Sequence, residues 1–286
     1  MKLTFPGVFA LLMLPPTLRA ADEVMIKPDV VYGHKDGMAL TFDVLTPPKP
    51  NGAGVMYMVS GGWYSTWGEP KQLLPAMKPL TDKGFTVFIV RHGSAPKYTV
   101  PEAVADVRRC SRFIHLHSKD YGIEANRLGV FGGSAGGHLS LMLGTTGDDG
   151  DPQAKENLFK QSSRVAAVVA YYPPTDLRGW TNEPPEAIKK LPQLKPPLTF
   201  DEKLTAGVSP MLQATPDDAP SLMISGDKDE LVPVMHSQNM VTAFEKAKVP
   251  CELLVIKGAG HGFSPKHNET VVPAMVGWFE KYLAKK

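Results

Sequence analysis

Leu128-Gly129-Val130-Phe131-Gly132-Gly133-Ser134-Ala135-Gly136-Gly137-His138-Leu139-Ser140-Leu141-Met142-Leu143 is the stretch on which the fold turns. Arg127 to Phe131 reads as a short buried strand, Gly132 to Gly137 as a small-residue turn, and the segment from near His138 onward as an apolar helix. Strand, sharp turn and helix in that order put Ser134 where only small neighbours let the backbone close. Gly132 to Gly136 also fits the Gly-x-Ser-x-Gly pattern of a nucleophile elbow, whose strained turn exposes a serine hydroxyl at the edge of a sheet. Glycines surround serine in ordinary turns as well, so the flanking strand and helix are what give the motif weight.

Outward from this turn, short apolar runs alternate with helical patterns. Ala39–Leu45, Gly54–Val59 and Thr86–Val90 precede the elbow as strands, and Val165–Tyr172, Ser221–Ser225 and Glu252–Ile256 follow it. Helices are expected over Pro101–Tyr121, with Gly122 as the stop, and over Met235–Lys248 and Val271–Leu283. That alternation predicts an α/β protein with a mostly parallel central sheet and helices on both faces. Asp176–Pro220 holds prolines at 184, 185, 192, 196, 197 and 210, which forbid long regular elements. It reads as a lid-like insertion before the strand that leads to the acidic residues, within one domain spanning residues 22–286.

A serine hydroxyl is a weak nucleophile at neutral pH and needs a base, which must itself be oriented by an acid. His261 lies among glycines in Gly258-Ala259-Gly260-His261-Gly262, after the last strand, where a loop can present its ring. The acid is expected between serine and histidine in sequence, and Gly226-Asp227-Lys228-Asp229-Glu230 follows the intervening strand. Asp229 is preferred because it lies farther past the strand end. Asp227 is the competing aspartate and a natural turn-former, and Glu230 is the outside candidate. Charge on a reacting carbonyl oxygen requires backbone donors, which Ala135 and the glycine loop Ser60-Gly61-Gly62-Trp63 supply through Gly61 or Gly62, and less readily through Trp63.

The remaining candidates are less specific. His115 and His117 stand two apart on a helix and do not share a face, and no other histidine has a ligand-like setting, so no catalytic metal is expected. Trp63, Tyr64, Trp67 and Trp180 are aromatic candidates for a substrate pocket, Trp63 and Trp180 foremost. With only Cys110 and Cys251 present, a disulfide scaffold is excluded, and two buried free thiols are expected. A net charge of +2 that forms no basic tract gives no footprint for nucleic acid. Residues 1–21 combine Lys2, the apolar run Val8–Leu14 and the small pair Ala20-Ala21 in the layout of a cleavable export signal. The run is too short to span a bilayer and Pro15-Pro16 breaks it. The mature chain is therefore expected to begin near Ala21 or Asp22, outside the cytoplasm. Nothing in the sequence speaks to oligomeric state.

These motifs, with Asp106-Val107-Arg108-Arg109, Tyr121-Gly122-Ile123 and Pro174-Thr175-Asp176-Leu177, make the chain from about Tyr32 to the C-terminus resemble the α/β-hydrolase esterases and lipases. Within them it is similar to secreted bifunctional feruloyl and acetyl xylan esterases. The resemblance implies an α/β-hydrolase fold and a cofactor-free serine esterase acting on small or polysaccharide-linked esters. It also implies Ser134 as nucleophile, His261 as base, Asp229 as acid, and Ala135 with Gly61 or Gly62 as the oxyanion hole. The chain departs from the family in that loop, where Ser60 or Val59 stands at the position usually held by a histidine. Competing readings are a peptidase of related fold, which normally carries an added gating domain, and a non-catalytic binding protein, which would be expected to have lost one of the three catalytic residues.

Overall fold

The computed structural model describes residues 23–285. The export signal expected at residues 1–21 lies outside the described residues. Eight strands form one sheet in the order β1-β2-β4-β3-β5-β6-β7-β8. They are β1 (Met25–Lys35), β2 (Met38–Thr46), β3 (Gly54–Met58), β4 (Thr86–Val90), β5 (Leu128–Gly133), β6 (Ala167–Tyr171), β7 (Ser221–Gly226) and β8 (Cys251–Ile256). β2 is antiparallel to β1 and β4, and every other pairing is parallel, with Val55 opposite both Val87 and Gly129 at the centre. The central strands are almost wholly buried because helices cover both faces.

One face packs against α1 (Pro70–Thr81) and α6 (Pro265–Tyr282), through Met77, Leu80, Met275 and Phe279. The other packs against α2 (Val100–Leu116), α3 (Ala135–Thr146) and α5 (Met235–Ala247), through Val107, Leu139, Met142 and Phe244. The short helix α4 (Glu186–Lys189) and a series of single 3-10 turns make up the proline-rich segment, as its composition dictates.

Several boundaries differ from expectation: α2 ends at Leu116 rather than Tyr121, with Ser118–Tyr121 a separate 3-10 turn, and β6 is shorter at both ends. α3 begins at Ala135 rather than near His138, so the turn shrinks to the single residue Ser134. Of the glycines expected in the turn, Gly132 and Gly133 end β5, and Gly136 and Gly137 belong to the first turn of the helix. α6 begins at Pro265 because Ser264 caps it, its hydroxyl accepting from the His267 N–H at 3.3 Å. β1 and α1 went unmarked in the sequence: β1 is mostly exposed and interrupted by two register shifts, and α1 carries Pro75 and Pro79 in its interior. Cys110 and Cys251 are unpaired, but only Cys110 is buried; Cys251 is half-buried at the sheet edge.

At the head of the site, Arg91 follows β4 and forms a two-pronged ion pair with Asp43 of β2 at 2.6 and 2.7 Å, the Asp43 side chain being wholly buried. A buried pair of this kind punishes loss of either partner and so fixes where the chain leaves β4.

Candidate active site

Ser134 joins β5 directly to α3 with φ 53° and ψ −120°, a conformation that costs a non-glycine residue about 1–3 kcal/mol. Close approach makes the turn possible: a Cβ on Gly132 would lie 2.6 Å from the Gly136 backbone, and one on Gly136 would lie 2.8 Å from the Met58 carbonyl oxygen. The Ser134 N–H donates to the Tyr171 carbonyl at 2.9 Å, which ties the turn to the end of β6.

His261, on the loop between β8 and α6, places Nε2 2.9 Å from Ser134 Oγ and Nδ1 2.8 Å from Asp229 Oδ2. Asp229 follows β7 and its side chain is wholly buried. Its Oδ1 accepts from the N–H groups of Leu231 at 3.0 Å and Val232 at 2.9 Å, so neither oxygen is left unpaired in the interior. A carboxylate only accepts, so Nδ1 carries the ring proton and Nε2 is left to accept from the serine hydroxyl. Tyr172 packs its ring 4.7 Å from that of His261. Asp227 has a different task, its Oδ1 accepting from the Gly258 N–H at 2.6 Å and holding together the loops that carry Asp229 and His261. Glu230 is exposed.

The loop after β3 makes a tight turn in which Gly61 and Tyr64 exchange both backbone hydrogen bonds at 3.0 Å. Gly62 and Trp63 occupy its two central positions, at φ 56° and 62°. The Gly61 N–H is thereby consumed. Among the described residues the N–H groups of Gly62, Trp63 and Ala135 meet no acceptor. The loop that usually carries a histidine in the resembling family is met here by an imidazole from elsewhere: the Ser60 hydroxyl lies 2.8 Å from Nε2 of His92, just past β4. The Ser60 carbonyl accepts from the Gly136 N–H at 3.1 Å, joining the loop to the elbow.

The BD-FAE family model matches residues 42–244, from β2 into α5, and so takes in the elbow, the glycine loop and Asp229. The chain belongs to the BD-FAE family. It is 26% identical over 242 residues to a probable carboxylic ester hydrolase of Mycobacterium tuberculosis, LipM, covering 82% of this chain and 56% of that protein. It is 26% identical over 287 residues to an acetylxylan esterase of Xylanibacter ruminicola, covering 96% and 54%. The BD-FAE chain thus spans about half the length of the curated relatives it matches. Among solved structures, a truncated carbohydrate esterase from gut microbiota superposes with a TM-score of 0.76 at 21% identity, covering 93% of this chain and 99% of that one. At that identity the likeness concerns the fold, which is the α/β-hydrolase fold that the motif order implies.

A cavity of about 740 Å³ opens on Ser134 and His261 of the BD-FAE chain. Trp63, Tyr64 and Trp180 line it, with Ile188, Leu191 and Leu194 contributed by the proline-rich segment. Trp67 does not line it: the side chain is exposed, and its Nε1–H donates to Asp29 Oδ1 at 3.1 Å. Two further histidines belong to the site without a local sequence signal: His92 and His138 have glycine on one side only, unlike His261, and their partners are remote in sequence. His138 Nδ1 accepts from the Trp63 Nε1–H at 3.2 Å, and its Nε2–H donates to the Val208 carbonyl at 2.7 Å.

Burial lowers the pKa of both rings to about 4, each from an ordinary value of 6.5. Between those values the unfolded chain holds protons on these two imidazoles that the folded chain does not, so stability falls as pH drops through that window. Urea unfolding of wild type against a His92→Gln/His138→Asn double variant should show this. Near pH 5.3 the dependence of unfolding free energy on pH should be smaller in the variant by about two protons, whereas equal slopes would mean the rings are not buried neutral.

Proposed function

We propose that this protein is a serine carboxylic ester hydrolase acting by two-step acyl transfer. The observation that carries the reading is the continuous contact Asp229–His261–Ser134, with its serine on a strained turn at the floor of a cavity. Ser134 Oγ attacks the ester carbonyl while His261 Nε2 takes its proton, and the buried Asp229 carboxylate stabilises the imidazolium that forms. The carbonyl oxygen becomes an oxyanion, for which Gly62 and Ala135 are the N–H donors; Gly61 is set aside because Tyr64 already takes its N–H. Collapse of the tetrahedral species breaks the ester C–O bond and expels the alcohol, which receives its proton from His261. Water, deprotonated by the same ring, then attacks the acyl carbonyl and releases Ser134. Each step is supplied by the chain's own residues, without a cofactor.

The names of relatives favour acyl groups on carbohydrate, an acetylxylan esterase and a carbohydrate esterase among them. We assign short acyl, acetyl or feruloyl esters of plant polysaccharide as the substrate class, with Trp63 and Trp180 as walls of the pocket. Ser134→Ala should lower kcat on nitrophenyl acetate by about a million-fold, as removal of a triad nucleophile does in a comparable hydrolase, in chelator-treated buffer. Wild-type rates in that variant, or an inert wild type across acetyl, longer acyl and feruloyl esters, would end the proposal.

Export is the second part of the reading. It is supported by the charged start, short apolar run and small residues of positions 1–21, and no helix among the described residues is long and apolar enough to cross a membrane. Terminal sequencing of the chain made with its own leader should find Ala21 or Asp22 first in the exported fraction. An intact Met1 in the cytoplasmic fraction alone would refute it.

A further inference from the structure

The donor loop Ser60–Trp63 presents an unusual mechanical problem. Two consecutive residues, Gly62 and Trp63, are left-handed, one of them bearing a bulky side chain. Yet an oxyanion donor works only if its N–H lies within a few tenths of an ångström of the right place. Two histidines meet this loop, one at each end. At Ser60, His92 Nε2 accepts from the hydroxyl at 2.8 Å; at Trp63, His138 Nδ1 accepts from the indole N–H at 3.2 Å.

In both rings the second nitrogen donates to a backbone carbonyl, His92 Nδ1 to Gly93 at 2.9 Å and His138 Nε2 to Val208 at 2.7 Å. That fixes each tautomer as an acceptor toward the loop. The roots of the two rings also differ. His138 stands one turn into α3, four residues past Ser134, so it locks the loop to the helix that carries the serine. His92 follows Arg91, whose buried pair with Asp43 anchors the end of β4. The Gly93 N–H is held in turn by Asp106 Oδ2 at 2.9 Å, so the backbone on either side of His92 is fixed.

Resting on the ester-hydrolase reading above, we infer that His92 and His138 are paired positioning residues for oxyanion stabilisation. They hold the two ends of the donor loop so that its amides and Ser134 keep one geometry as charge develops. Neither ring need touch substrate. Their loss should therefore fall on the transition state and leave ground-state binding nearly intact.

The test compares variants that remove the acceptor with variants that keep it. His138→Leu and His92→Leu fill the space without a polar atom, whereas His138→Asn keeps an oxygen near the Nδ1 position and His92→Gln keeps one near Nε2. On nitrophenyl acetate the Leu variants should lose about 10–100-fold in kcat with KM within about threefold, and should bind an aryl trifluoromethyl ketone more weakly by a similar factor. The Asn and Gln variants should recover most of both. If the Leu variants do not fold, Ser60→Ala removes the loop's hydroxyl donor to His92 instead and should give the same split. Unchanged kcat, a loss confined to KM, or equal losses in the acceptor-keeping variants would overturn the inference while leaving the ester-hydrolase reading in place. A wild type inert on every ester would overturn that reading and this one with it.

Discussion

Ser134 must hold a left-handed backbone at the junction of a buried strand and a buried helix, and the rest of the site is built around keeping it there. The strain is modest beside the packing that opposes its release. Gly132 lets β5 and α3 approach, and Gly136 lets α3 approach the end of β3, to distances no side chain would allow; Tyr171 takes the serine's N–H, and the Ser60 carbonyl takes that of Gly136. A turn of one residue leaves the hydroxyl only a narrow range of directions. The imidazole that meets it must arrive from a loop whose own position is fixed, which is the task of Asp229 and, behind it, of Asp227.

Burial does much of the electrostatic work. The Asp229 side chain is removed from water, yet both oxygens are engaged by two backbone N–H groups and the His261 ring, so the cost of burying a carboxylate is offset by bonds that also aim it. His92 and His138 follow the opposite logic. Deep burial keeps them neutral, and each donates to a carbonyl behind it and accepts from the loop in front. One imidazole at the site is aligned by a buried carboxylate, and two others are kept as plain acceptors by the absence of one.

How much of this was legible in the sequence follows from how local each feature is. The elbow, the central strands and the glycine-flanked His261 could be read because each is specified by a handful of adjacent residues. Asp229 could be favoured over Asp227, but only the fold shows why: one aspartate is buried against the ring, the other bridges two loops. Features that depend on partners far apart in the chain were hidden. The Gly61 N–H is spent on Tyr64 only because Gly62 and Trp63 turn the loop back on itself, and the roles of His92 and His138 depend on Ser60, Trp63 and Val208 meeting them in space. β1 and α1 escaped because bulges and internal prolines break the periodicities by which strands and helices are recognised.

The central claim is that Ser134 is a nucleophile activated by His261 and Asp229, and covalent trapping tests it most directly. Incubation of the purified protein with a fluorophosphonate ester, followed by peptide mass spectrometry, should place one phosphonyl group per chain on Ser134. Labelling of an Asp229→Asn variant should be slower by about four orders of magnitude, the loss known when a triad aspartate is replaced by its amide. A label on another residue, or equal labelling of the two proteins, would contradict the account.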